Sequence, residues 1–261
     1  MMRADVYLCE LGFVESRTRA ARLIDEGKVI VDGKVILKPS EQIEPGEHSV
    51  EITEMDRFVS RGGLKLLAAI EAFGIDVRGK RCIDVGASTG GFTDCLLQHG
   101  AECVFAIDSG TDQLHESLLE CERVVSVEGF NAKNLDREFF GAFSIAVMDV
   151  SFISQTVLHK KVYDILDDGG TFVSLIKPQF EAGRAALGKR GIVKEAKDRE
   201  RAVLRVLESA SVLGFEIKGL IKSPIEGGDG NREYLACFIK KDNSTPDTTY
   251  MTRLKVKELC K

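Results

Sequence analysis

The chain has 261 residues and a formal net charge of −5, so it is longer than one average domain and is not basic overall. Its 44% hydrophobic and 30% charged residues are typical of a globular chain with a buried core. No apolar run approaches the roughly 20 residues of a membrane-spanning helix, and the first residues lack the apolar stretch of a secretory signal. We therefore expect a cytoplasmic protein without membrane insertion.

The seven cysteines are scattered and odd in number, and they include no C-x-x-C pair. Metal sites and disulfide frameworks need clustered or paired spacings. We therefore predict reduced thiols and no metal site. The cysteines are Cys9, Cys82, Cys95, Cys103, Cys121, Cys237 and Cys260.

The first 50 residues predict a compact α+β module. Ser16 is a candidate N-cap for a helix that runs through Glu26 and ends at Gly27. Two β-rich runs, Val29–Val31 and Lys34–Ile36, follow, and the Asp-Gly pair between them predicts a hairpin. The apolar face of the helix includes Ala20, Leu23 and Ile24.

An acidic, polar stretch around Glu41–Asp56 contains Pro45-Gly46. Turn residues of this kind predict the end of the module and a linker. From about residue 60 the pattern changes to alternating strands and helices, which indicates βαβ units and a mostly parallel, Rossmann-like α/β sheet covered on both faces. The strand candidates are Arg81–Val85, Cys103–Ile107, Arg123–Val127, Ser144–Asp149 and Thr171–Ile176.

Helical patterns lie between most of these strands, notably at Gly91–His99 and Gln155–Leu166. A longer helix is predicted at about Glu195–Leu213. Two further runs, Phe215–Ile221 and Glu233–Ile239, are joined by a Gly/Asp-rich segment and predict a terminal antiparallel pair. The chain from Asn243 onward is polar and without pattern, so we expect a loosely held, flexible tail.

The segment Cys82–Asp94 reads as a buried strand, a glycine-rich turn and a helix, which is typical of a nucleotide-type ligand site. Its spacing is G-x-x-x-G-G rather than the G-x-G-x-x-G of dinucleotide sites, and no Walker loop follows. Asp84 directly precedes the loop, where a carboxylate would repel phosphates and attract a cation. Asp108 ends the next strand at the offset of a ribose-binding carboxylate. These features favour S-adenosylmethionine as the cofactor.

The ends of the later strands indicate the type of reaction. The fourth strand is followed by Asp149-Val150-Ser151-Phe152, not by the Asx-Pro-Pro-aromatic motif of amine methylation, and no strand-end cysteine suits carbon-5 methylation. Lys177 follows the fifth strand, and Glu233 begins the last one. Because ligands bind at the carboxyl edge of such sheets, we expect these side chains to converge there with Lys65, at the start of the preceding helix.

The set Lys65, Asp149, Lys177 and Glu233 resembles the K-D-K-E tetrad of ribose 2′-O-methyltransferases related to FtsJ. The whole chain to about residue 241 is similar to the TlyA family, which joins an S4 RNA-binding domain to an FtsJ-like methyltransferase domain and is often labelled hemolysin A. One departure is Thr111, near which relatives often carry an aromatic residue. The matching landmarks are 59–63, 84–92, 149–154, 177–181 and 223–234.

The resemblance implies an S4-like domain and linker at 1–57, a methyltransferase domain at 58–241 and a tail at 242–261. It implies transfer of a methyl group to the ribose 2′-hydroxyl of ribosomal RNA, expected at cytidine, with Lys177 as general base. Asp149 would orient this lysine, and Lys65 and Glu233 would hold the ribose. The expected cofactor contacts are Asp84, Gly86, Ala87, Ser88, Thr89, Gly90, Gly91, Phe92, Asp108, Asn131 and Asp149.

Basic residues crowd the N-terminal module and resemble the S4 helix that grips structured RNA through its phosphates. We therefore expect ribosomal RNA or ribosomal subunits as partners. The residues predicted to contact RNA are Arg3, Arg17, Arg19, Arg22 and Lys28.

Three other functions can be compared with ribose methylation. A membrane-active hemolysin would need a surface that enters lipid, which the sequence does not show. An S4-type pseudouridine synthase would need a Gly-Arg-Leu-Asp segment, which is absent from the sequence. A catalytically silent RNA-binding factor that keeps the sheet as a scaffold stays open, and only turnover would distinguish it from an enzyme.

Overall fold

A computed structural model describes residues 2–25, 28–44, 46, 48–52, 57–227, 230–241 and 250–261, the last range without the side chains of residues 250–254. The chain divides into two compact units, Met1–Arg57 and Phe58–Lys261. Each unit has a hydrophobic core of its own.

The N-terminal unit is a small α+β fold. Strand β1 pairs antiparallel with β4, and a second sheet has the order β3-β2-β5. Two helices cover a core that includes Leu8, Ile24 and Val29. The elements are β1 Met2–Arg3, α1 Ala4–Glu10, α2 Arg17–Asp25, β2 Val29–Val31, β3 Lys34–Val35, β4 Gln42–Ile43 and β5 Val50–Ile52.

The predicted helix and hairpin of this unit are confirmed. Ser16 Oγ accepts a hydrogen bond from the Arg19 amide at 3.3 Å, so it caps α2. The apolar face of α2 is buried. Asp32 and Gly33 have φ of 50° and 77°, the left-handed conformation that a two-residue hairpin turn requires. The predicted helix end at Glu26 and Gly27 lies outside the described residues.

The predicted linker at Glu41–Asp56 is wrong as far as Ile52. Strand β4 pairs with β1, and β5 extends the sheet through β2, so these residues belong to the module. Strands of two or three residues between turn residues carry too little alternation to be recognised in a sequence. Pro45 and residues 53–56 lie outside the described part of the chain.

The second unit contains a seven-stranded sheet of order β11-β12-β10-β9-β6-β7-β8. Strands β6 to β10 pair in parallel, whereas β12 is antiparallel to both β10 and β11. The predicted mostly parallel sheet with an antiparallel end is therefore confirmed. Its strands are β6 Arg81–Val85, β7 Cys103–Ile107, β8 Val124–Val127, β9 Phe143–Met148, β10 Leu166–Ile176, β11 Phe215–Lys222 and β12 Tyr234–Lys240.

Helices cover both faces of this sheet, and successive strand residues point to opposite faces. In β9, Ala146 belongs to one apolar cluster and its neighbours Ile145 and Val147 belong to the other. Burial on both faces explains the nearly continuous apolar runs of the sequence. The helices are α3 Gly62–Phe73, α4 Gly91–Gln98, α5 Glu116–Leu119, α6 Arg137–Phe140, α7 His159–Ile165, α8 Pro178–Glu181, α9 Ala196–Val212 and α10 Tyr250–Leu259.

The predicted flexible tail is wrong for residues 250–261, which contain helix α10. Val256 and Cys260 of this segment are buried in the core. An Arg199 guanidinium nitrogen donates to the carbonyl oxygen of Cys260 at 2.7 Å. Residues 242–249 lie outside the described residues. Within the part of the chain that the structure describes, no helix is long and apolar enough to cross a bilayer.

Candidate active site

The candidate site lies where the direction of strand order reverses, between β6 and β9. Open α/β sheets bind ligands at such a point, beyond the carboxyl ends of the strands. A cavity of about 580 Å³ opens there, which we call the cofactor cavity. Five of the predicted cofactor contacts line it: Gly86, Ser88, Asp108, Asn131 and Asp149.

The other predicted contacts do not line the cofactor cavity. They form the strand end, the turn and the first residues of α4 behind it, and Phe92 is packed in the apolar core. Their direct contact with a cofactor therefore stays a prediction. They are Asp84, Ala87, Thr89, Gly90, Gly91 and Phe92.

Two glycines of the turn are required by conformation and by space. Gly86 has a φ of +87°, and a Cβ there would lie 2.7 Å from the carbonyl oxygen of Asp149. Gly90 has a φ of +95°, and its Cβ would lie 2.2 Å from a methyl carbon of Leu118. Side chains rarely adopt this backbone region. Gly86 thus allows the residues after β6 and β9 to lie close together at the cavity wall.

Asp108 and Asp149 line the cofactor cavity, and a third carboxylate, Asp84, is buried behind it. Asp108 accepts hydrogen bonds from the Ser88 and Gly110 amides, each at 2.8 Å. Asp84 is fully buried; its Oδ2 accepts from Thr93 Oγ1 at 2.8 Å, and its Oδ1 has no partner among the described residues. Burial, and after it the charge of Asp149, raises the pKa of Asp84 to about 7. A buried carboxyl with an unused oxygen suits a cationic ligand.

The four residues of the predicted tetrad form two close ion pairs. Lys65 Nζ lies 2.6 Å from Glu233 Oε2, although the two residues are 168 positions apart. Lys177 Nζ lies 2.6 Å from Asp149 Oδ1 and donates to Ser151 Oγ at 2.8 Å. Only 12% of each lysine side chain is exposed to solvent. In this semi-buried setting, ion pairs hold the four side chains in defined positions.

The second cavity, of about 420 Å³, adjoins the first, and we call it the acceptor cavity. Lys177 and Glu233 both line it, and it shares Ser151 and Phe152 with the cofactor cavity. Phe152 is 93% exposed and has a φ of 65°, which is rare for a residue with a side chain. One residue of each pair therefore faces a space that can hold a second substrate.

Glu181, for which the sequence predicted no role, connects the segments that carry Asp149 and Lys177. It is buried, and its carboxylate accepts from Ser154 Oγ at 2.6 Å and from the Gln155 amide at 2.8 Å. It therefore joins the segment after β9, which follows Asp149, to helix α8, which follows Lys177. Its place in the 177–181 landmark was the available signal.

In the N-terminal unit, a second residue without an assigned role organises the predicted RNA contacts. Asp5, only 4% exposed, accepts two hydrogen bonds from Arg3, at 2.9 and 3.0 Å, and one from Arg17 at 3.2 Å. The hydrogen bonds from Arg3 lower the pKa of Asp5 to about 2, although burial opposes this. Arg19 forms an ion pair of 3.5 Å with Glu15. The two guanidinium groups held by Asp5 remain about half exposed.

Comparisons with known proteins agree with this division of the chain. Residues 58–240 match the model of the FtsJ-like methyltransferases, and residues 2–49 match that of the S4 domain. The chain is 42% identical to hemolysin A of Brachyspira hyodysenteriae, with 91% of this chain and 100% of the relative covered. It is also 42% identical to the 16S/23S rRNA (cytidine-2′-O)-methyltransferase TlyA of Mycobacterium tuberculosis, with 89% and 87% covered.

Among solved structures, one described as a hemolysin, from Streptococcus thermophilus, superposes with a TM-score of 0.78. It is 42% identical to this chain and the match covers 99% of this chain and 94% of the other. The matches of this chain to the S4 and FtsJ-like models, together with relatives matched over most of their length, place it in one family. The chain belongs to the FtsJ-like methyltransferases that carry an S4 domain, the family of the TlyA and hemolysin A proteins.

Proposed function

We propose that this protein uses S-adenosylmethionine to methylate the ribose 2′-hydroxyl of a cytidine in ribosomal RNA. The observation that carries the proposal is the pair Lys177–Asp149 at the junction of the two cavities, 2.6 Å apart. The relative from M. tuberculosis supports the substrate class, because its name specifies cytidine 2′-O-methylation of 16S and 23S rRNA.

The residues around the cofactor cavity fit S-adenosylmethionine, which supplies an activated methyl group. Asp108 has its carboxylate held by two backbone amides, and its remaining lone pairs are available to ribose hydroxyls. Asp149 lines this cavity, and a cationic ligand there would favour the ionised form of the buried Asp84, whose pKa of about 7 leaves it partly protonated without such a ligand. Gly86 lines this cavity, and its lack of a side chain lets the ends of β6 and β9 approach each other there.

In the acceptor cavity, Lys177 in its neutral amine form would accept the proton of the ribose 2′-hydroxyl, which makes the oxygen a better nucleophile. Asp149 and Ser151 hold that amine in position, since both contact it directly. The Lys65–Glu233 pair holds the ribose on the opposite side. Phe152, at the border of the two cavities, offers an exposed ring on which a nucleobase can stack.

The N-terminal unit supplies contact with the ribosomal RNA. Arg3 and Arg17 are oriented by the buried Asp5 and keep guanidinium surface for phosphates. Charge reversal at Arg19 and Arg22 should weaken RNA binding and flatten its salt dependence by about one unit of slope per lost phosphate contact.

The test is to incubate the purified protein with methyl-labelled S-adenosylmethionine and separate ribosomal subunits or free ribosomal RNA. We expect label at the 2′-oxygen of a cytidine, detected as resistance of that position to alkaline cleavage, and none with Lys177→Ala. Cofactor binding without transfer to any of these RNAs would overturn the proposal and favour a silent RNA-binding factor. Label on a base would contradict the ribose assignment.

The name hemolysin A, carried by one relative, motivates a lytic alternative. We expect no release of dye from vesicles of neutral or anionic lipid at protein concentrations that methylate RNA. Dye release that persists in Lys177→Ala would reveal a membrane activity separate from the acceptor cavity.

A further inference from the structure

One wall of the cofactor cavity is the loop between β7 and α5, residues 108–114. Asp108, Ser109, Gly110 and Gln113 of this loop line the cavity. The loop contains no regular secondary structure, and Asp112 within it has a φ of 56° without being a glycine. A loop in such a conformation needs partners that hold it there.

Glu128, the residue directly after β8, supplies those partners with one carboxylate. Its Oε2 accepts a hydrogen bond from the Asp112 amide at 2.8 Å, and its Oε1 accepts from the Gln113 and Leu114 amides at 2.9 and 3.1 Å. Three consecutive amides thus point at one side chain. These hydrogen bonds, the one from Gln113 first, lower the pKa of Glu128, so the group is anionic at neutral pH.

The two residues that follow Glu128 also bond to this loop, but through their backbone. The Gly129 amide donates to the Gly110 carbonyl at 2.8 Å, and the Phe130 amide donates to that of Asp108 at 2.9 Å. Neither bond uses a side chain, although Gly129 has a φ of +66° that favours glycine. The side chains that hold the loop are thus Asp108, at residues 108–110, and Glu128, at residues 112–114.

The held loop also fixes the side chain of Gln113. This side chain folds over Gly110, where a Cβ would lie 2.0 Å from Gln113 Nε2. Glu128 itself is not among the residues that line the cavity. Any influence it has on a ligand must therefore pass through the loop that it holds.

We propose that Glu128 is a positioning residue for the cofactor, which sets affinity by holding residues 112–114 so that Asp108 and Gln113 face the ligand. The proposal rests on the proposed function in that S-adenosylmethionine is the ligand. Loss of the carboxylate should weaken binding about 10- to 150-fold, the range for hydrogen bonds to a charged group. Turnover at saturating cofactor should be unchanged, because the tetrad is untouched.

The experiment is calorimetric titration of the full chain with S-adenosylmethionine and S-adenosylhomocysteine, using wild type, Glu128→Ala and Glu128→Gln. Glutamine keeps one acceptor oxygen but turns an amide group towards the remaining backbone donor, so its affinity should be intermediate. Glu122→Ala is the matched control, because Glu122 is exposed and lies two residues before the opposite end of the same strand. Hydrogen exchange should accelerate at residues 112–114 in the alanine variant.

A raised KM for the cofactor with an unchanged kcat, together with the intermediate affinity of glutamine, would support positioning. Wild-type affinity in both variants would overturn it, as would a lowered kcat with unchanged affinity. If alanine prevents folding, the shape-conserving glutamine variant decides between these outcomes. Failure of the wild type itself to bind either ligand would instead overturn the proposed function, and the two failures are thereby distinguished.

Discussion

The two adjoining cavities are held in shape by different kinds of interaction. At the cofactor cavity, the carboxylate of Asp108, which lines it, and that of Glu128, which holds one of its loops, accept hydrogen bonds from backbone amides. In the acceptor cavity, two lysines lie against carboxylates. Amides keep their protons at all physiological pH values, whereas ammonium groups can lose theirs. A wall held by backbone amides suits ligand binding, and a wall of lysine–carboxylate pairs suits proton transfer.

The substitution Lys177→Ala distinguishes most clearly between the roles of the two cavities. Removing the proton acceptor should lower methyl transfer by about 10²- to 10⁴-fold, the usual contribution of a general base. Cofactor affinity should stay unchanged because Lys177 does not line the cofactor cavity. Single-turnover transfer and calorimetry measure the two effects. Lys218→Ala, exposed on the edge strand β11, is the control, and a variant with normal transfer would exclude Lys177 as the base.

A second change tests whether the acceptor cavity depends on paired charge. Glu233→Gln leaves Lys65 with 12% exposure and no carboxylate partner, which should lower the free energy of unfolding by about 3–5 kcal/mol. The double variant Lys65→Met, Glu233→Gln should recover part of that loss, because no unpaired charge remains. Urea unfolding of Glu233→Gln, Lys65→Met and the double variant measures these losses of stability. Additive losses would show that the two side chains do not stabilise each other.

The smallest expected effect concerns Asp84, behind the cofactor cavity. Asp84→Asn should weaken cofactor binding by about 1–3 kcal/mol, because a hydrogen-bond acceptor of negative charge is lost. Calorimetry at pH 7 measures the change. Unchanged affinity would show that the loop binds its ligand without this carboxylate.

The pKa of Asp84 adds a dependence on pH. Because the folded-state pKa of about 7 lies above the ordinary value of 3.8 for an aspartate, the ligand-free protein keeps a proton that the unfolded chain releases. Its stability should therefore fall as pH rises from about 4 to about 7, and Asp84→Asn should remove this slope. Thr93→Val, which removes the hydrogen bond to Asp84, should raise the pKa further. Denaturant unfolding across this pH range measures both effects.

Much of the sheet was predictable because a central strand that is buried on both faces consists of a nearly continuous run of apolar residues. β6 and β7 have the predicted bounds, since each run ends at a loop that breaks it. β10 begins at Leu166 rather than Thr171, because polar residues and glycines at 167–170 belong to a strand with an irregular register. Helix α10 was missed because its burial depends on contacts such as that of Arg199, far away in the sequence.

The residues of the candidate site were predictable where a charged side chain directly follows a strand. Asp108, Asp149 and Lys177 could be assigned to one edge of the sheet for this reason. Lys65 and Glu233 were also expected at this edge, but their direct ion pair was not, because it depends on the insertion of β12 beside β10. Glu128 also follows a strand directly and could have been found by the same rule, whereas nothing in the spacing marks Asp5 as a ligand of arginine side chains.

The strand order has a consequence for synthesis. β12 inserts between β10 and β11, although both precede it in the chain. Lys65 is translated 168 residues before Glu233, an interval of roughly 8–34 s at about 5–20 residues per second. Until β12 emerges, a nascent chain has the strands of the cofactor cavity but an unfinished acceptor cavity. The growing polypeptide thus stays beside ribosomal RNA, its proposed substrate, before it has the full set of residues that would act on it.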